Sequence, residues 1–238
     1  MAQVINTNVS ALFGGAALNK SNLALQTAMA RLSSGQRINS AKDDATGMVT
    51  ASGYESTMRG AAQAMRNAND GISTAQTNDG YHQQVYENLQ RLREIAVQLG
   101  GTASGAETTA LTAENTRILG LVTTSSAVVV GSNGATITGV GAKATLAGTL
   151  TVAGIDADIT AVTTARANYG GDMARFQSAI NNLSNQYVNT AAAYSRVMDT
   201  DYATETTAMT RNMILQQAGT AMLAQANQVP NNVLSLLR

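Results

Sequence analysis

Apolar positions between residues 3 and 33 fall on two stripes rather than one. Ala11, Leu18, Leu25, Met29 and Leu32 make the first, and Val9, Leu12, Ala16, Leu23 and Ala30 the second. At about 100° per residue the stripes lie on roughly opposite faces of a predicted helix. A surface helix needs only one apolar face. Two faces need two partners, and a chain of this size can hardly supply both. Ser33-Ser34-Gly35 ends the pattern. Ser40 followed by Asp43 reads as a capping box, with Asp44 also near the positive helix end. A helical pattern then runs from about Lys42 to Leu99. Met58, Met65 and Ile72 repeat by seven, as do Ala61, Ala68 and Ala75, and Val85, Leu89, Leu92, Ala96 and Leu99 continue after a shift. Two Asn-Asp-Gly triplets, at 69–71 and 78–80, are local turn signals that conflict with an unbroken helix.

Gly100-Gly101 marks a turn, and 105–122 reads as a further helix with Leu111, Ile118 and Val122 on one face. Residues 123–160 are rich in Thr, Val and Gly. Ala127–Val130 and Ala135–Val140 flank Gly131-Ser132-Asn133-Gly134, which predicts a β-hairpin, and Thr145–Val152 is a candidate third strand. Helix resumes near Thr163. Tyr169, Met173, Phe176, Ile180, Leu183, Tyr187, Thr190, Tyr194 and Val197 alternate by four and three, a coiled-coil seam. A last helix, about 203–228, is apolar nearly all round and is expected to stop before Pro230, the only proline. The predicted fold is mainly α: a long antiparallel helical bundle or coiled coil, with a small β-hairpin region in the middle of the chain.

Composition sharpens this picture. The 238 residues include 41 Ala but only 2 Phe and 7 Tyr, so each helix buries little area and suits close helix–helix contact. Lys20 is the only charged side chain between Met1 and Ala30, and Asn212–Leu237 carries none. Net charge is zero, which disfavours a nucleic-acid partner and does not keep copies of the chain apart. Gln and Asn residues along 212–237 exclude a membrane span there. The start, MAQVINTNVSALFGGAALNK, has neither a basic region nor a continuous apolar run, so standard signals point to a soluble cytoplasmic chain.

Little in the sequence suggests catalysis. There is no Cys and one His, His82, read as an ordinary surface or interface residue of a helix. Asp43-Asp44 and Asp199/Asp201 read as helix caps and junction contacts rather than a carboxylate pair. Asp156 and Asp158 lack a calcium-loop pattern, and the Met-rich stripes read as packing. No cofactor is expected. The reading is not an enzyme.

Several blocks together resemble bacterial flagellin, the subunit of the flagellar filament. They are MAQVINTN at the start, RLSSGQRINSAKDDATGM at 31–48, RNANDGISTAQT at 66–77, NLQRLREIAVQ at 88–98, and DYATETTAMTRNMILQQAGTAMLAQANQVPNNVLSLLR at 201–238. The resemblance covers roughly 1–99 and 165–238. Room for only a hairpin-sized piece between the halves makes it similar to a short form without additional surface domains. The chain departs from the family at Phe13-Gly14-Gly15, where relatives are commonly polar and where glycine could loosen the first helix.

The resemblance implies an inner terminal-helix coiled-coil domain, 1–40 plus 200–238, and an outer rod-like helical domain, 41–199, with β-rich structure at about 123–160. It implies that the Asn-Asp-Gly triplets lie inside a continuous helix. It implies a structural subunit that self-assembles into the extracellular filament for swimming motility. Secretion would be by the flagellar type III export apparatus, with a flagellin chaperone and the filament cap and junction proteins as partners. Candidate polymerisation residues are Val9, Leu12, Leu18, Leu23, Leu25, Leu32, Met213, Ile214, Met222, Leu223, Leu234 and Leu237. Arg31, Arg37, Asp43, Asp44 and Asp201 are candidate register charges. Gln90, Arg91, Glu94 and Ile95 match a block that an animal innate immune receptor recognises in some relatives. Ser125, Ser126, Ser132 and Thr136 are candidate O-glycosylation positions. A hook–filament junction protein is disfavoured by the full C-terminal block. A secreted membrane-active effector would need a basic amphipathic face that the terminal helices lack.

Overall fold

A computed structural model describes residues 7–140 and 142–235, with side chains described for all of these except 125, 126, 138–140 and 229–235. The elements, in chain order, are α1 (Val9–Ser34), α2 (Ala45–Gln98), α3 (Ala106–Leu121), β1 (Ser125–Val129), β2 (Thr136–Val140), α4 (Val152–Met198) and α5 (Tyr202–Ser235). They form two compact units. One takes the chain up to Gly53 and from Ala192 on; the other is Tyr54–Ala191.

In the first unit α1 and α5 pair antiparallel. Asn8 caps α1, its side chain accepting the Ala11 N–H at 3.0 Å. Gly35, at φ 70°, ends it by returning its N–H to the Arg31 carbonyl at 2.8 Å, a left-handed position that favours glycine. The chain then pairs briefly with the segment before α5: Arg37 N–H donates to Met198 O, and Thr200 N–H to Gly35 O at 3.0 Å. Ile38 is buried beneath this clasp with Ala51 and Met198. The capping box expected at Ser40 is displaced. Asp43 accepts from Asn39 and Ser40 within a turn, and Asp44 is the residue that caps α2, accepting the Gly47 N–H at 2.8 Å.

In the second unit α2 and α4 run antiparallel, and their seam pairs small with large. Ala61 and Ala64 receive Leu183, and Ala68 receives Phe176 with Ile137. Further along, Ala75, Val85, Leu89 and Leu92 pack with Tyr169, Val162 and Ile155. The heptad alanines are therefore the buried line. Met58, Met65 and Ile72 are only half-buried beside it. The predicted seam on α4 holds from Tyr169 to Leu183 but leaves Tyr187 exposed.

The hairpin is antiparallel, pairing Ala127 with Thr138, Val128 with Ile137 and Val129 with Thr136. Gly134 turns it at φ 85°. The third strand expected at Thr145–Val152 does not form. Its bonds go elsewhere: Ala147 and Gly148 donate to the Asp158 carboxylate at 2.7 and 3.3 Å, Val152 donates to Gly101 O, and just before the stretch Ala144 donates to His82. Asp158 is buried on α4. That helix starts at Val152, eleven residues before the expected Thr163, because Thr151 caps it through the Gly154 N–H at 3.2 Å and Ile155 and Val162 extend the seam.

Both Asn-Asp-Gly triplets lie within unbroken α2, against the local turn signal. Three of the four Asn and Asp side chains have partners within the fold. Asn69 donates to Met65 O, Asn78 both donates to and accepts from Thr123, and Asp79 pairs with Arg166 at 2.8 Å. The two glycines differ. A methyl at Gly71 would lie 2.7–3.0 Å from three atoms of the Phe176 ring, whereas one at Gly80 would meet nothing within 4 Å. Gly71→Ala should therefore destabilise the chain by about 1–3 kcal/mol. Gly80→Ala should stabilise it by about 0.5–1 kcal/mol through helix propensity. Urea denaturation followed by circular dichroism checks this; shifts of the same sign would contradict the packing assigned to Gly71.

Candidate assembly interface

The α1/α5 pair turns a mixed face of α5 and a leucine-bearing face of α1 toward each other. On α5 the half-buried line is Ala208, Met209, Asn212, Gln216, Gly219, Leu223 and Ala226, spaced by threes and fours and interrupted by two amides and a glycine. On α1 it includes Ala11, Gly14, Leu18, Ser21, Asn22, Leu25 and Leu32. Two reciprocal contacts hold the pair close. Leu223 seats over Gly14, where a methyl would come within 3.4 Å of its Cδ1, and Leu18 over Gly219, where the distance would be 3.1 Å. Gly14, which sequence suggested as a weak point, is a socket in a continuous helix.

The other faces stay open. Phe13 is 78 % exposed, Met222 67 %, Leu12 66 % and Ile214 59 %, with Val9, Leu23, Met213 and Leu215 exposed as well. Ala28 is the one buried residue of α1, and no described side chain of α5 is buried. Of the candidate polymerisation residues, Leu18, Leu25, Leu32 and Leu223 thus face the partner helix. Val9, Leu12, Leu23, Met213, Ile214 and Met222 face outward. Met29, assigned by spacing to the inner stripe, is exposed. The side chain of Leu234 and all of Leu237 lie outside the described residues. Sequence reading missed Phe13 and Leu215, which with Val9, Leu18 and Met222 line an apolar groove of about 640 Å³. An aromatic beside a glycine was the available signal. Among the described residues no helix is long and apolar enough to cross a membrane.

The candidate register charges serve the breaks between helices. Arg31 faces Glu205 at 3.7 Å. Arg37 donates to Val197 O at 2.9 Å from its Nη2 and lies 4.0 Å from Asp44. Asp201 caps α5, accepting the Ala203 N–H at 2.9 Å and the Thr204 hydroxyl at 2.8 Å, and the Thr204 bond, foremost, holds its pKa below the usual carboxylate value. A hydrogen bond from Ser40 does the same for Asp43.

Residues 5–124 match the bacterial flagellin N-terminal helical region, and 152–237 the bacterial flagellin C-terminal helical region. The chain belongs to the bacterial flagellin family. Between the matches lie the hairpin and the loop after it. A flagellin of Xenorhabdus nematophila is 36 % identical over 313 aligned residues, spanning 100 % of both chains. A flagellin of Bordetella bronchiseptica is 32 % identical over 391, again spanning 100 % of both. A flagellar filament 31.3 kDa core protein of Treponema maltophilum is 34 % identical over 287, covering 99 % of this chain and 100 % of the relative. The 238-residue chain is a short, core-only form of the family.

The block at 90–95 does not present a single surface. Arg91 is exposed but bridged to Glu107 at 2.8 Å and Glu94 at 3.1 Å, which raises its pKa. Gln90 is half-buried. Ile95 is buried in the core. In the hairpin Ser132 exchanges hydrogen bonds with Gln186, and Thr136 is exposed. The side chains of Ser125 and Ser126 lie outside the described residues.

His82 overturns its sequence reading as a surface or interface residue. It is fully buried. Its Nδ1 lies 2.8 Å from Asn78 O, and its Nε2 lies 3.2 Å from the Ala144 N. The first partner only accepts and the second only donates, so the ring is neutral with its proton on Nδ1. Tyr169 meets it edge-on at 5.1 Å and donates to Ala142 O at 3.0 Å. The pair pins the loop after the hairpin. Burial lowers the His82 pKa below 6.5 and pushes that of Tyr169 up to about 12. As pH falls through 6.5 the unfolded chain takes up a proton that the folded chain refuses, so stability declines until the folded value is reached. Thermal unfolding between about pH 7 and pH 5 should show this decline, and His82→Gln should flatten it. An unchanged slope in that variant would remove His82 as the cause.

Proposed function

We propose that the chain is a structural subunit that polymerises into an extracellular bacterial flagellar filament, with the α1/α5 pair supplying the surfaces that copies share. One observation carries this reading: the two terminal helices meet along Leu18, Leu25, Leu32 and Leu223 with small residues and amides between them, and still leave Val9, Leu12, Phe13, Leu23, Met213, Ile214, Leu215 and Met222 exposed. Each such side chain contributes about 1.5–3 kcal/mol when fully buried. A second copy offering a different face would cover them, and a heterologous contact of that kind propagates as an open helical polymer. The Treponema relative named as a filament core protein supports the same assignment. Export through the flagellar type III apparatus, an escorting chaperone, and cap and junction proteins follow as partners.

Because the intramolecular seam is thin, the terminal helices are marginal in a free chain and become ordered on docking into the growing end. Charges at Arg31, Arg37, Asp44 and Asp201 then keep the helix breaks in register. Arg91 offers an immune receptor a guanidinium already shared with two carboxylates, and the Ser132 and Thr136 hydroxyls offer attachment points for glycans.

Electron microscopy after nucleation with filament seeds should show elongation by purified chain. Trypsin should cut free chains at Arg31, Arg37 and Arg211 and spare filaments. Equal resistance in both states would refute ordering on assembly. Ile214→Asp places a charge on the outward face of α5 without touching the α1 seam. It should slow seeded elongation by at least about tenfold, in line with the cost of burying an unpaired charge. Elongation at the wild-type rate would remove that face from the interface.

A further inference from the structure

α5 does not stop at Pro230 but continues to Ser235. Within a helix, residue 230 would donate its N–H to the carbonyl of Ala226, and proline has none to give. That carbonyl nevertheless has a donor. The side-chain Nδ2 of Asn8, 218 positions away in sequence, lies 2.8 Å from it. The other end of the same carboxamide, Oδ1, accepts the Ala11 N–H and caps α1. Ser, Thr and Asp cap helices as Asn does, but only Asn combines the cap acceptor with an NH₂ group. The cap residue of α1 is thus matched to the missing donor in α5.

We infer that Asn8 is the positioning residue that sets the register of the α1/α5 pair by supplying the hydrogen bond that Pro230 withholds. Most of the rest of the seam is small or apolar, with Leu223 and Leu18 seated over Gly14 and Gly219 and the amides of Asn212 and Gln216 among them; such packing contacts are less directional than a hydrogen bond. The Asn8–Ala226 bond is directional and sits at one end of the pair, with Arg31 and Glu205 toward the other. Register decides which outward side chains of the two helices lie side by side, as Phe13 and Met222 do in the groove. This inference rests on the filament reading for its consequence, since a correctly aligned surface is what a second copy would meet.

Four proteins test it: wild type, Asn8→Ser, Pro230→Ala and the double variant. Serine keeps a cap acceptor but is too short to reach Ala226, and alanine at 230 restores the helical donor. The readout is the critical concentration for elongation on wild-type seeds, followed by light scattering. Asn8→Ser should raise it by about fivefold alone, the scale of one hydrogen bond. In the Pro230→Ala background the same substitution should raise it by less than about twofold, because the carbonyl then has its own partner. Equal penalties in both backgrounds would overturn the clasp and leave Asn8 as a plain helix cap. A wild type that fails to elongate seeds would sink the filament reading instead. The cycle is then read as hydrogen exchange of α1 peptides in the free chain, where non-additive protection supports the clasp and additive protection overturns it.

Discussion

An apolar helix face must be covered by something, and in its own unit α1 has one long helix to turn toward. That limit governs the first unit. α1 carries two stripes, and α5 is apolar nearly all round. A pair of helices can hide only one face of each. The faces chosen are those that allow the closest approach, with Gly14 and Gly219 receiving leucines and Asn212 and Gln216 tolerated in the seam. What remains outside includes Val9, Leu12, Phe13 and Leu23 of α1 and Met213, Ile214, Leu215 and Met222 of α5.

The second unit solves the opposite problem. It closes its own core, with alanines on α2 receiving Leu183, Phe176 and Tyr169 from α4. Three of its buried polar groups hold irregular backbone. Asn78 holds the segment entering the hairpin, and His82 and Asp158 hold the loop leaving it. Each of these three is satisfied by main-chain partners, so its desolvation is offset. The titratable chemistry that sequence reading weighed as candidate sites is structural chemistry: caps, clasps and pins.

Much of this was legible in the sequence. The two stripes of α1, the hairpin with its Gly-rich turn, and the seam from Tyr169 to Leu183 all follow from periodicity, because local backbone geometry dictates which side chains share a face. The terminal blocks made the family recognisable, and the ion-free ends pointed to association. Outward exposure of Val9, Leu12 and Leu23 follows the second stripe. That Met29 joins them does not, since spacing cannot tell how far a partner helix wraps.

Tertiary structure alone decided the positions where a local signal lost to a distant partner. Asn-Asp-Gly reads as a turn until Phe176 fills the space over Gly71 and Thr123 engages Asn78. Thr145–Val152 reads as a strand until Asp158 takes the donors of Ala147 and Gly148. Pro230 reads as a stop until Asn8 supplies the missing hydrogen bond. The preference of an ordinary residue or a glycine is worth about a kilocalorie per mole or less, and that of a proline about 3 kcal/mol, so contacts from elsewhere in the chain can offset them. Sequence determines which faces are greasy and where helices tend to run. Which groups meet across 45, 62 or 218 positions is settled only when the chain has packed, because those contacts have no local signature.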